Sequence, residues 1–120
     1  MAYKVFYYEG RDGRSPGEEF YDSLDIKTRA KVAKWIEKLE LEGPDLPRPY
    51  ADKVRGKIRE LRVRFGKVRY RFLYFFEGKN IIITHGFKKK TDKIPETELN
   101  RAEAIRKDFY KRLKVGEIDI

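Results

Sequence analysis

Between Ile58 and Phe87 the chain carries three runs of β-branched and aromatic residues, separated by Gly66-Lys67 and by Gly78-Lys79-Asn80. Strand formers broken by glycine turns this short join as antiparallel neighbours, so the stretch predicts a meander and constrains the fold more than any other. In the first run, Ile58 to about Phe65, Leu61, Val63 and Phe65 alternate with Arg62 and Arg64. One face is therefore core, and the other is charged. The second run, Arg69 to Glu77, is apolar or aromatic on both faces, as a central strand should be. In the third, Ile81 to about Phe87, a two-residue period puts His85 on the face of Ile81 and Ile83.

The flanking segments supply the helices. Tyr3 to Tyr8 (YKVFYY) reads as a first strand, closed by the turn cluster Arg11 to Gly13. Ser15 is expected to cap a short helix, with Pro16 at its first position, Glu18 and Glu19 in its first turn, and Phe20 and Leu24 on one face. Asp25 opens a longer helix from Ile26 to Glu42. Its expected buried stripe is Ile26, Ala30, Ala33, Ile36 and Leu39, with Val32 and Trp35 beside it, and Gly43-Pro44 ends it. Residues Gly43 to Asp52 hold three of the five prolines and read as a loop. Pro95 begins a last helix, with Glu96, Thr97 and Glu98 in its first turn and Leu99, Ala102, Ile105, Phe109 and Leu113 along one face. The tail Val115 to Ile120 is expected to fray. With no repeat and no linker, residues 1–120 read as a single α+β domain of order β-α-α-β-β-β-α, its helices mainly on one face of the sheet.

Charge then says where to look. From Lys53 to Lys93 there are 14 lysines and arginines against three acidic residues, although the whole chain carries only +9. The rest of the molecule is thus slightly acidic, and the surplus belongs to the meander. An anionic partner is expected, with nucleic acid ahead of a membrane surface. There is no cysteine, no apolar run near the roughly 20 residues that span a bilayer, and no signal-peptide pattern in MAYKVFYYEG. A cytoplasmic location without membrane contact is the expectation.

Phosphate-binding glycine loops, zinc-binding helices and Cys/His clusters are all missing. What remains near the meander is guanidinium, ammonium, one imidazole and several phenols. These groups suit RNA cleavage by attack of a 2′-hydroxyl on its own phosphate, which needs neither metal nor cofactor nor protein nucleophile. It needs in-line positioning, a proton acceptor and fixed positive charge. Arginine forks match phosphorane oxygens, a lysine crowded by cations can have its pKa lowered, and His85 titrates in range unaided. Each candidate also has a plainer role. Arg62 and Arg64 are equally the wet face of a sheet, and Arg69 and Arg71 flank a strand that is covered on both sides. His85 is equally a packed histidine, and Lys88-Lys89-Lys90 a solvated run. Tyr70, Phe72, Tyr74, Phe75 and Phe76 read most simply as core, though one or two could stack on bases.

Glu60-Leu61-Arg62, then Tyr70-Arg71 with Leu73-Tyr74-Phe75, then His85-Gly86-Phe87 with Lys89-Lys90-Thr91, Lys93 and Pro95, ahead of a helix with Glu, Ala and Arg, form a combined pattern. Across Ile58 to Phe109 it resembles the phage-derived Gp49-like, HigB-type toxins of the RelE/ParE superfamily. The resemblance implies a RelE-like microbial ribonuclease fold: an antiparallel meander plus N-terminal strand, two N-terminal helices and a C-terminal helix. It also implies a type II toxin that cleaves mRNA on the ribosome and is neutralised by a helix-turn-helix, HigA-like antitoxin. By motif, Arg71 and Arg62 would bind the scissile phosphate, and Lys89 and His85 would join them in catalysis. Arg64, Arg69, Lys88, Lys90 and Lys93 would contact RNA. The C-terminal catalytic tyrosine of RelE has no counterpart here, since Tyr110 lies late in the last helix. The same resemblance admits a non-nuclease member acting on gyrase, or a DNA-bound co-repressor. The charge alone also admits a general RNA-binding module.

Overall fold

Antiparallel pairing of β3 (Ile58–Phe65), β4 (Val68–Glu77) and β5 (Asn80–Lys89) builds the meander that the glycine turns predict. The computed structural model describes residues 2–120. Gly66 and Gly78 turn the chain with φ of 63° and 58°, a conformation open to glycine and strained for most other residues. β1 (Lys4–Tyr7) adds in parallel to β5, pairing Val5 with Ile81.

A fifth strand, β2 (Ala51–Arg55), overlaps the end of the expected loop and runs through residues assigned to no element, pairing with β3 to complete the order β1-β5-β4-β3-β2. Its letters, Ala-Asp-Lys-Val-Arg, are mostly charged, as suits an edge strand that must not template aggregation. Its turn, Gly56-Lys57, nevertheless repeats the Gly-Lys signature of the other two hairpins.

Helices cover both faces, not mainly one. α1 (Pro16–Ser23) and α2 (Ile26–Glu42) lie on the face of Leu61, Val63, Tyr70, Phe72, Tyr74, Ile81 and Ile83. There Phe20 meets Phe72 at 5.5 Å between ring centroids. α3 (Glu96–Lys114) covers the opposite face, packing Leu99, Ala102 and Phe109 on Ile58, Leu73, Phe75 and Ile82. The central strand β4 is buried on both sides for this reason, as its letters predict. Burying each such large apolar side chain stabilises the fold by about 1.5–3 kcal/mol.

Helix phases and ends hold further corrections. Asp25 caps α2 as expected, its Oδ1 accepting from the Thr28 N–H at 2.8 Å. The buried stripe of α2, however, is Thr28, Val32 and Leu39 with Trp35 and Ile36, while Ile26 is 76% exposed and Ala30 and Ala33 face outward. Two overlapping stripes satisfy the helical period, and the one carrying more side-chain volume packs on the sheet. Ser15 stands at the N-cap of α1, but its hydroxyl makes no capping hydrogen bond. Phe65, at the end of β3, is 38% exposed and not part of the core. The C-terminal tail is anchored where fraying is expected, through ion pairs of Glu117 with Arg11 and Arg112. No helix among the described residues is long and apolar enough to cross a membrane.

Candidate active site

One irregularity in β5 assembles the site. The β4–β5 register pairs Tyr74 with Ile83 but Leu73 with His85, so Thr84 is an extra residue in the ladder. Such a bulge shifts the side-chain phase of everything after it. Ile81 and Ile83 point toward α1 and α2, as the two-residue period predicts. His85, Phe87 and Lys89 then cross to the α3 face and join Leu73, Arg71 and Arg69. The sequence-based expectation that His85 shares the face of Ile81 and Ile83 is therefore corrected. Lys88, paired with Tyr70, goes to the opposite face.

On the α3 face the register places Arg62 across from Arg71, Arg64 across from Arg69, and Arg69 across from Lys89. Five cations on three adjacent strands would repel one another without a counter-charge. Glu60, which the sequence marks only as part of Glu-Leu-Arg, supplies it. Its carboxylate is 2% exposed, with Oε1 2.9 Å from Arg71 Nε and Oε2 2.9 Å from Arg62 Nη2. A carboxylate buried alone would cost several kcal/mol, and here two guanidiniums offset that cost. Arg71, 7% exposed, also donates from Nη1 to the Tyr70 carbonyl at 3.1 Å. Asp52 on β2 extends the ladder, with Oδ2 3.6 Å from Arg62 and 2.9 Å from Arg48. Arg62 is hydrogen-bonded to Glu60, whereas Arg71 pairs with it by charge at 2.9 Å without hydrogen-bond alignment.

Lys89 stands at the rim of this array. Partial burial lowers its pKa below the ordinary lysine value, with the charges of Arg71, Arg62 and Arg69 acting in the same direction and Glu60 opposing. Among the described residues no carboxylate lies within ion-pair distance of it. It is the group on this face whose neutral form the surroundings favour while its amine stays accessible.

His85 lies in a different environment. It is 1% exposed beneath α3, with Nε2 3.1 Å from Glu98 Oε1 and Nδ1 3.1 Å from Thr84 Oγ1. Burial and the nearby Arg101 push its pKa down, and Glu98 opposes them. The ring is held by Glu98 at Nε2, while the Thr84 hydroxyl has one proton to share between His85 Nδ1 and the Leu73 carbonyl 3.2 Å away. This is the packed, hydrogen-bonded histidine of the plainer interpretation. Lys90 and Lys93 lie in the exposed segment leading to α3. Tyr110 is at the far end of β4, its hydroxyl donating to Glu77 Oε1 at 2.8 Å.

A cleft of about 450 Å³ opens at this end of the sheet, where β3 runs past the start of β2. Arg62, Arg64, Arg69 and Arg71 line it together with Lys31, Trp35 and Tyr50, and the last three come from outside the meander. The last three are absent from the sequence-based candidates, because no periodicity connects α2 and the proline-rich segment to the meander. A larger cleft of about 610 Å³ between the loop after β1 and α3 is lined by Arg11 and Arg14, paired with Glu117 and Glu19, and by Arg101. The core aromatics Tyr70, Phe72, Tyr74 and Phe75 are buried and offer no face to a base. Among the described residues no three His, Asp or Glu side chains cluster as a metal site would.

No curated protein sequence matches the chain. The family described as phage derived protein Gp49-like (DUF891) matches residues 19–107, which include β2 to β5, the bulge, and all of Glu60, Arg62, Arg71 and Lys89. With about three quarters of its length matched, the chain belongs to the phage-derived Gp49-like family, a family of RelE/ParE-like toxins.

Proposed function

We propose that the chain is the toxin of a toxin–antitoxin pair and a metal-independent endoribonuclease that cuts mRNA at the Arg62–Arg71–Lys89 array. The observation that carries this is the buried Glu60 carboxylate paired with two arginine forks beside a lysine of lowered pKa. Arg71 and Arg62 bind the non-bridging oxygens of the scissile phosphate and stabilise the charge that builds there in the transition state. Neutral Lys89 takes the 2′ proton; the 2′ oxygen bonds to phosphorus as the bond to the 5′ oxygen breaks. The products are a 2′,3′-cyclic phosphate and a 5′-hydroxyl, the leaving oxygen taking its proton from solvent beside Arg69. His85 acts as a structural link and not as the base. Lys88, Lys90, Lys93 and Arg64 hold the flanking RNA, with the ribosome presenting the message and a helix-turn-helix antitoxin as the neutralising partner.

The test is to add the purified protein to a translating extract and map message ends by primer extension. Cuts within codons are expected, and Arg71→Ala should reduce them about 100-fold or more, the usual cost of losing one transition-state charge contact. An intact message, or equal cutting by wild type and Arg71→Ala, overturns the reading.

A further inference from the structure

Tyr50 is the largest exposed aromatic beside the arginine array, and nothing in the cleavage mechanism uses it. Its ring stacks on Trp35 with centroids 4.4 Å apart and planes 25° from parallel, yet 39% of the residue stays open to solvent. Its place is rigid. The Tyr50 and Ala51 N–H groups both donate to the Pro47 carbonyl, at 2.9 and 3.2 Å, and the Tyr50 carbonyl accepts from the Arg62 N–H at 2.8 Å. One backbone hydrogen bond thus ties the aromatic platform to the strand that carries a phosphate-binding arginine. Trp35 backs the platform from α2, and Lys31 adds a cation to the same wall of the cleft.

We propose that Tyr50, backed by Trp35, is a base-stacking subsite for a nucleotide flanking the scissile phosphate in single-stranded RNA. This rests on the cleavage reading for its substrate, but concerns binding and not chemistry. An aromatic face accepts any base, and the arginines lining the same cleft match the phosphates on either side of it. The cleft lies within the range of small-ligand sites, large enough for one base with its phosphate. The arginines alone would hold a phosphate chain of any kind. The stacked pair makes the site selective for a strand whose bases are unpaired and free to turn outward.

Trp35 is the sole tryptophan, so intrinsic fluorescence reports on this wall directly. The probe is a short 2′-O-methyl RNA oligonucleotide, which has no 2′-hydroxyl to attack with, titrated at low salt against an abasic strand carrying the same number of phosphates. The base-bearing strand should quench Trp35, and the abasic strand should bind without quenching. By anisotropy of labelled strands, Tyr50→Ala should bind the base-bearing strand roughly tenfold more weakly and the abasic strand as wild type does. Tyr50→Phe, which keeps the ring, should match wild type and shows that the loop still folds. Equal quenching by both strands, no quenching by either, or Tyr50→Ala binding as tightly as wild type overturns the subsite. Cleavage is scored separately. A message cut normally while Tyr50→Ala binds like wild type ends the subsite alone, and quenching with an intact message ends the cleavage reading alone.

Discussion

Glu60 decides what the arginine face is. Arg62 Nη2 and Arg71 Nε each lie 2.9 Å from one of its buried oxygens, with Asp52 and the Tyr70 carbonyl as their further partners. Glu60→Gln keeps the shape and removes the charge, leaving Arg71 without an anion and Arg62 with only Asp52 at 3.6 Å. We predict a loss of about 3 kcal/mol in urea unfolding, at the lower end for breaking a buried pair, together with a weakened cut. A change within about 0.5 kcal/mol, the usual range for surface sites, would contradict this. Lys89 makes a second prediction at this scale. A base must be neutral, so cleavage should rise with pH toward an inflection below the ordinary lysine value of 10.5, because burial and three neighbouring arginines favour loss of its proton. In Lys89→Arg, which cannot be neutral in this range, that rise should vanish; an unchanged pH–rate profile would remove Lys89 from the chemistry. The sequence identifies most of these residues, since an arginine alternating with core letters in a strand must face away from the core. It cannot reveal that Glu60 is buried, because one acid among five cations reads as surface.

Between elements, the deciding feature is the bulge at Thr84. It moves Lys89 onto the face of Arg69 and Arg71 and carries His85 under α3. A strict two-residue period cannot foresee this, since nothing in Ile-Thr-His-Gly announces an extra residue. Gly86, next to it, has a visible structural duty: a Cβ there would meet Phe72 Cε2 at 2.9 Å and crowd Phe20, so glycine lets α1 approach β5. The Gly66-Lys67 and Gly78-Lys79 turns are legible, but Gly56-Lys57 goes unread because β2 before it is too charged to read as a strand. His85 ties α3 to β5 through Glu98, and this link should be sensitive to pH. The folded state disfavours its protonated form while the unfolded chain takes a proton near pH 6.5. Stability is therefore full above 6.5 and falls as the pH drops toward the lower folded value. We predict that His85→Gln, which can keep the hydrogen bond to Glu98, flattens the decline in Tm between pH 6.5 and 5 relative to wild type and leaves the pH profile of cleavage unmoved. Parallel declines in the two proteins would show that His85 carries no such linkage.

For the whole molecule, helices on both faces leave one end of the sheet open, and the surplus charge collects there. The chain is +9, and its excess lies between Lys53 and Lys93, which contributes β3 to β5 and most of the cleft's cationic wall. This concentration is plain in the sequence. The stacked Trp35–Tyr50 wall is not, because it joins residues from α2 and a proline-rich turn that meet only after folding. The central claim is that this open end cuts RNA using the substrate's own 2′-hydroxyl. The most direct measurement is the chemistry of the ends left on a message cut by the purified protein in a translating extract. The account predicts 2′,3′-cyclic phosphates facing 5′-hydroxyls, both strongly reduced in Arg71→Ala. Ends bearing 3′-hydroxyl and 5′-phosphate would mean that water, and not the neighbouring hydroxyl, attacks the phosphate, and would contradict it.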